Sequence, residues 1–161
     1  MRSDLDTAES NAKKVLGETQ TRSLGQLRAA EAIAFARACA ETDPRYLDAD
    51  RADFTVHPMY LPSILRGPEG GRDDEYRPDG MFADEVPGTT GLDVRLMAGG
   101  QSLDFVAVPT AGDVITVERT MATVERKGKP GAEFLLLVMS KVYSSSTSGP
   151  LAHVRETFIV R

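Results

Sequence analysis

The hydrophobic positions of this chain change period near its middle. Between residues 29 and 40 they follow a helix, with Ala29, Ala32, Ile33, Ala36 and Ala40 on one face. Ser23 with Gln26 fits a capping box ahead of this run, and a start nearer Ala29 fits equally. Alanine dominates the segment, so the helix can lie close against a neighbouring backbone but brings little volume to a core. The bulk must come from elements wrapped around it. After residue 100 the period becomes two. Segments 101–109, 114–126, 133–144 and 151–160 read as strands. Leu103, Phe105 and Ala107 alternate with Ser102, Asp104 and Val106. In the last strand Ala152, Val154, Phe158 and Val160 share a face that Glu156 interrupts. Residues 134–139 are apolar on both faces, which suits a central strand. Gly- and Pro-bearing turns at 111–113, 127–131 and 147–150 separate the strands, and turns this short join antiparallel neighbours. One early helix followed by a run of antiparallel strands predicts an α+β fold with the helix on a sheet face.

Two segments fall outside this pattern. Residues 1–22 are polar and are expected as an exposed helix or loose arm, which leaves 23–161 as a single domain. Residues 66–88 carry five glycines and three prolines among many charges. They read as a long surface loop, either functional or a mobile insertion.

A length of 161 residues suits one domain. Nineteen basic and 24 acidic residues give a net charge of -5, which excludes a broad cationic surface for nucleic acid but not a small anionic ligand. Cys39 is the one cysteine, so no intramolecular disulfide is available; beside alanines on the helix it reads as a buried thiol. His57 and His153 stand far apart without ligand spacing, so no metal site is expected. His153 lies among alternating strand residues and reports a strand face. No apolar run is long enough to span a bilayer, and the first residues lack an apolar signal core. The expected location is the cytoplasm, with no membrane partner.

Four stretches carry a family resemblance. The first is Phe35-Ala36 at the helix end, running to Glu41-Thr42-Asp43-Pro44-Arg45-Tyr46-Leu47-Asp48. The second is Val56-His57-Pro58-Met59-Tyr60. The third is Gly99-Gly100-Gln101-Ser102-Leu103-Asp104-Phe105, followed by Pro109, Gly112 and Asp113. The fourth is the basic hairpin Glu125-Arg126-Lys127-Gly128-Lys129, with Arg161 after the strand beyond it. In this order, over residues 17–161, they resemble the MaoC-type (R)-specific enoyl-CoA hydratases and dehydratases, and among them the N-terminal, FAS1-like dehydratase half. That family has Phe-Ala, then Gly-Asp-x-Asn-Pro-x-His and an aspartate, a Pro-rich segment entering the acyl tunnel, and a Gly-x-Gln strand leading to Pro-Leu and Gly-Asp. The resemblance implies a hotdog fold, an antiparallel sheet wrapped around a central helix. It also implies chemistry on an acyl thioester carried by coenzyme A or an acyl carrier protein, with no further cofactor. His57, Pro58, Tyr60, Gly99, Gly100 and Gln101 are then the substrate-binding candidates, and Arg126, Lys127 and Lys129 could meet a coenzyme A phosphate or form a solvated turn.

Hydrating an enoyl thioester takes one group to activate water and another to move a proton to the α-carbon. The family uses an Asp and a His five residues apart. Carried over residue by residue, the Asp position holds Glu41 and the His position holds Tyr46. Glu41 keeps a carboxylate on a longer arm. A phenol, with an unperturbed pKa of about 10, does not replace imidazole near neutrality. The dyad is therefore degenerate, and Tyr46 reads first as a packed aromatic. Glu41 and Asp43 can equally be helix-end and turn residues. His57, before Pro58, reads as a loop histidine or as a displaced catalytic imidazole. The chain thus resembles the half of a two-hotdog protein that shapes the acyl tunnel while a homologous catalytic half keeps Asp and His. The expected partner is such a MaoC-like subunit or a second copy of the chain. The alternatives are an active homo-oligomeric dehydratase using Glu41, a hotdog thioesterase, and an acyl-thioester binding module without turnover.

Overall fold

The computed structural model describes residues 3–64 and 70–161. Its framework is one antiparallel sheet of five strands: β1 Thr19–Gln26, β2 Leu96–Phe105, β3 Val114–Lys127, β4 Phe134–Ser145 and β5 Gly149–Val160, in the order β1-β3-β4-β5-β2. The expected α+β class holds, and the doubly apolar run 134–139 lies in the central strand, β4. The C-terminal strand buries Ala152, Val154, Phe158 and Val160 on its inner face.

Among the described residues three α-helices accompany the sheet: α1 Asp4–Lys14, α2 Ala29–Ala38 and the single turn α3 Tyr60–Ser63. The alanine-rich α2 begins at Ala29, with Arg28 as N-cap and no side-chain cap. Ser23 and Gln26, read as a capping box, lie in β1 instead. Of the expected helix face Ala32 and Ala36 are buried, Ala29 and Ile33 are half-buried and Ala40 is exposed. Cys39, expected as a buried thiol, is exposed at the helix C-cap.

Ala36 is fully buried, so a larger side chain there must push the helix off its neighbours. Ala36→Leu is expected to cost about 1–3 kcal/mol by overpacking. Denaturant midpoints of the variant and the parent measure it, and unchanged midpoints would contradict the close helix packing.

The helix covers only half of the sheet. Ala32 of α2 joins Leu24, Leu27, Val56, Tyr60, Leu61, Ile115, Val117, Tyr143 and Val154 in one apolar cluster. A second contains Met121, Leu135, Leu137, Met139, Phe158 and Val160, and its cover is α1, through Ala8 and Ala12, with Val86 and Val94 from the long connection. The segment 1–22, expected as an exposed helix or loose arm, thus contributes a helix, but a packed one, and from residue 19 the edge strand β1. Ser3 and Asp6 form a reciprocal capping box at the start of α1, and Arg126 donates to Glu9 at 2.8 Å and Asp6 at 2.7 Å. That engagement ties the helix to the end of β3 and commits one residue of the basic hairpin.

The part of the expected loop 66–88 that precedes Gly70 lies outside the described residues. Residues 70–80 are mostly exposed, and from Met81 the connection packs down on the sheet, with Glu85 and Val86 buried. At Gly88 a Cβ would stand 2.7 Å from the backbone N of Ala12, so only glycine allows the connection to press this close to α1. No helix among the described residues is long and apolar enough to cross a membrane.

Candidate functional site

The exit from α2 is a Schellman motif: Glu41 N–H donates to Ala36 C=O and Ala40 N–H to Arg37 C=O, both at 3.0 Å. The motif needs a left-handed residue, and Ala40 supplies it at φ 56°. A β-carbon in that region is strained by about 1–2 kcal/mol. Ala40 also stands where the family motif quoted above has its glycine. Ala40→Gly is therefore expected to raise stability by about 1 kcal/mol, read as a higher urea midpoint at constant m value; a lower midpoint would mean that the turn carries no strain.

This turn aims Glu41. Its Oε1 accepts from the N–H groups of Thr42 at 2.7 Å and Asp43 at 3.0 Å. Those bonds, Asp43 first and Thr42 second, hold its carboxyl below the ordinary carboxylate range. The chain then turns through Asp43, whose carboxylate accepts from Arg45 N and Nε, into the 3₁₀ turn Pro44–Tyr46. Asp43 thus does the turn work that the sequence allowed for it.

His57 comes back to meet Glu41. Its Nε2 lies 3.7 Å from Glu41 Oε2, and its Nδ1 accepts the Met59 N–H at 3.2 Å. The second bond requires an unprotonated Nδ1, so the neutral ring carries its hydrogen on Nε2, toward Glu41. Tyr46 and Phe35 flank the imidazole at centroid distances of 5.2 and 5.7 Å, and Phe35 also meets Tyr60 at 5.4 Å. Glu41, Tyr46, His57 and Tyr60 thus converge on one aromatic-walled cluster. Sequence spacing within 41–46 could not show the approach of His57.

Beside the cluster a cavity of about 510 Å³ runs between Tyr46, Thr55, Val56 and Pro58 and the wall Phe105–Pro109. That wall carries exposed Phe105, Val106 and Val108. Gly100 and Gln101 belong elsewhere: they border a second cavity, of about 450 Å³, with Pro62, Phe82 and Lys141, while Gly99 packs its backbone against Thr157 and Ile159 of β5. The substrate-binding candidates therefore divide between two places, His57, Pro58 and Tyr60 on one side and the Gly99–Gln101 stretch on the other. The charged residues lining the second cavity, Glu85, Lys141 and Glu156, were not singled out from the sequence as a site; Glu156 stood out only as the interruption of an apolar strand face. Among the described residues no group of three or more His, Cys, Asp or Glu side chains could hold a metal ion.

Among the described residues β2 pairs with β5 alone and β1 with β3 alone, so each presents one free edge. The apolar wall Phe105–Val108 continues directly from the free β2 edge.

This architecture recurs in solved structures. The (R)-hydratase of A. caviae involved in PHA biosynthesis aligns at TM-score 0.59 and 23% identity, over 89% of this chain and 94% of that one. A MaoC-like dehydratase from Rhodospirillum rubrum gives 0.60 and 16%, over 90% and 91%. The ChsH1-ChsH2 complex from Mycobacterium tuberculosis gives 0.65 and 14%, over 97% and 90%. At these identities the likeness establishes the hotdog fold. None of the curated proteins compared with the chain matches it. The profile of the family described as "FAS1-like, dehydratase domain region" matches residues 22–154. With the sheet, the helix and the Glu41 turn in the places that profile covers, the chain belongs to the FAS1-like dehydratase family of MaoC-like hotdog proteins.

Proposed function

We propose that this chain is a non-catalytic subunit of a heteromeric (R)-specific enoyl-thioester hydratase or dehydratase. It shapes the acyl site for a homologous partner that brings an intact Asp/His pair. The thioester is carried by coenzyme A or an acyl carrier protein, no other cofactor takes part, and the complex works in the cytoplasm. The observation that carries this reading is the state of the dyad positions. Tyr46 stands where imidazole is needed and packs on His57. Glu41 uses one carboxylate oxygen to hold the backbone of its own turn, which lowers its basicity. The complex of two differently named proteins among the structural relatives fits the same arrangement.

A second reading has its own support. The 3.7 Å approach of His57 to Glu41 rebuilds a carboxylate–imidazole pair from a different histidine, and a homo-oligomer could use it on an enoyl thioester. Against it, His57 must give up the Met59 hydrogen bond before both ring nitrogens can hold a proton.

Association tests the first reading. A partner sheet adding to the β2 edge would satisfy its free backbone groups and cover Phe105, Val106 and Val108, of which Val108 is 63% exposed. A stable interface there should bury at least about 1,200 Å² in total. Sedimentation equilibrium at micromolar concentration, with and without the candidate catalytic subunit, is expected to show a 1:1 complex, and Val108→Asp is expected to weaken it by tenfold or more. A chain that remains monomeric in both conditions, yet hydrates an enoyl thioester alone, would overturn the reading.

A further inference from the structure

A polar row crosses the inner face of the sheet between its two apolar clusters. Arg119 on β3 and Lys141 on β4 are direct cross-strand partners, and each is 2% exposed. Two adjacent buried cations need anions. One is Glu85, lowered onto them by the long connection: Lys141 Nζ donates to its Oε1 at 2.8 Å, and Arg119 donates to its backbone carbonyl at 2.7 Å. The other is Glu156 on β5, with Oε2 2.5 Å from Lys141 Nζ. Gln101 of β2 closes the row by donating to Glu156 Oε1 at 2.7 Å. The row holds two cations and two anions and is neutral.

Three side-chain atoms of the row are buried without a hydrogen-bond partner: Arg119 Nε, whose residue does not border the cavity, Glu156 Oε2, which keeps Lys141 Nζ at 2.5 Å, and Glu85 Oε2. Arg119 approaches Glu85 Oε2 only to 3.9 Å, while Lys141 bonds the other oxygen. Glu85, Lys141, Glu156 and Gln101 border the cavity of about 450 Å³, whose other walls include Met81, Phe82, Ala98 and Phe158. Two carboxylates beside an apolar chamber suit a donor on an apolar body. The charge of that donor is constrained as well. A carboxylate end would place a third anion beside Glu85 and Glu156. An ammonium end would shed its hydration next to a row with no net negative charge to repay it.

We propose that this cavity binds a neutral aliphatic or alicyclic alcohol, its hydroxyl donating to Glu85 and its hydrocarbon body lying against Phe82 and Phe158. The binding claim concerns this chain alone and needs no turnover. Joined to the proposed function, on which only this step rests, it selects acyl groups that carry a hydroxyl remote from the thioester.

Titration of the full chain with 1-octanol, octanoate and octylamine at pH 7, followed by calorimetry and by amide shifts of Gly100 and the Gln101 side chain, tests it. 1-Octanol is expected to bind saturably and at least tenfold more tightly than either charged probe. Glu85→Gln leaves the row with a net positive charge, so the order of octanol and octanoate should reverse. Should that buried substitution unfold the chain, Ala98→Phe decides: Ala98 is exposed on β2 at the cavity wall, and filling the space there should abolish octanol binding at an unchanged melting temperature. Equal binding of the three probes, tighter binding of octanoate by the parent chain, no saturable binding, or full binding by Ala98→Phe would each overturn the proposal.

Discussion

Alone, the chain is expected to hydrate an enoyl thioester at no more than about one hundredth of the rate of the reconstituted complex, because positioned acid–base groups contribute about 10²–10⁴-fold. The loss should follow the partner. Changing the partner's catalytic Asp to Asn should lower kcat of the complex by that full factor. Glu41→Gln and His57→Gln in this chain should leave kcat within a factor of about 3, since neither is expected to touch the reacting atoms. Glu41→Gln keeps an oxygen able to accept from the Thr42 and Asp43 N–H groups, so the turn should survive and the comparison reports chemistry rather than folding. The competing pair makes the opposite demand. If Glu41 and His57, 3.7 Å apart, perform the proton transfers, each substitution should lower kcat a hundredfold or more while circular dichroism is unchanged. That outcome would assign catalysis to this chain and remove the need for a partner's dyad. Free acid as the product would instead point to thioester hydrolysis.

What the sequence showed and what it hid follow from the range of the interactions. The Ala-rich helix and strands β3 to β5 were legible because their apolar periods are long and local. The strand β1 was not: of its eight residues Leu24 alone is buried, as befits an edge, and a single apolar position has no period. The early part of β2 hid for a related reason, since Ala98-Gly99-Gly100 favours no strand and the register shifts between Ala98 and Gly100. In α1 the signal was Ala8 and Ala12, one turn apart, small enough to be lost in a polar helix yet fully buried. The site divided in the same way. Glu41 and Tyr46 were found through a local spacing, whereas His57 joins them across the intervening chain. Glu156 was visible as an interruption. Its counter-ions were not, because Glu85 comes from a segment without periodicity and reaches Lys141 across 56 residues.

Lys141→Met is expected to be the most destabilising single change away from the apolar clusters, at about 3–5 kcal/mol, because removing one member of a buried ionic set leaves its partners charged and desolvated. Lys141 holds Glu85 at 2.8 Å and Glu156 at 2.5 Å, so two carboxylates would lose their shared cation while Arg119 offers Glu85 Oε2 only a 3.9 Å approach. The cost should show as a fall in the urea midpoint. It should also show as faster amide exchange between Gly70 and Val94, since Glu85 is one of the anchors that hold the long connection to the sheet. Coupling separates this from a simple packing defect. Combined with Glu85→Gln and Glu156→Gln, Lys141→Met should cost clearly less than the sum of the separate changes, since neutral amides need no counter-ion. The neighbouring phenol adds a second readout. Tyr143 lies two residues along β4, and burial, aided by Glu156 and Glu85, pushes its pKa up. In the triple variant those two charges are gone, so the phenol should titrate at a lower pH than in the parent, which absorbance at the phenolate band follows. A single substitution costing under about 1 kcal/mol, or additivity among the three sites, would mean that the row is solvated and does not hold the connection down.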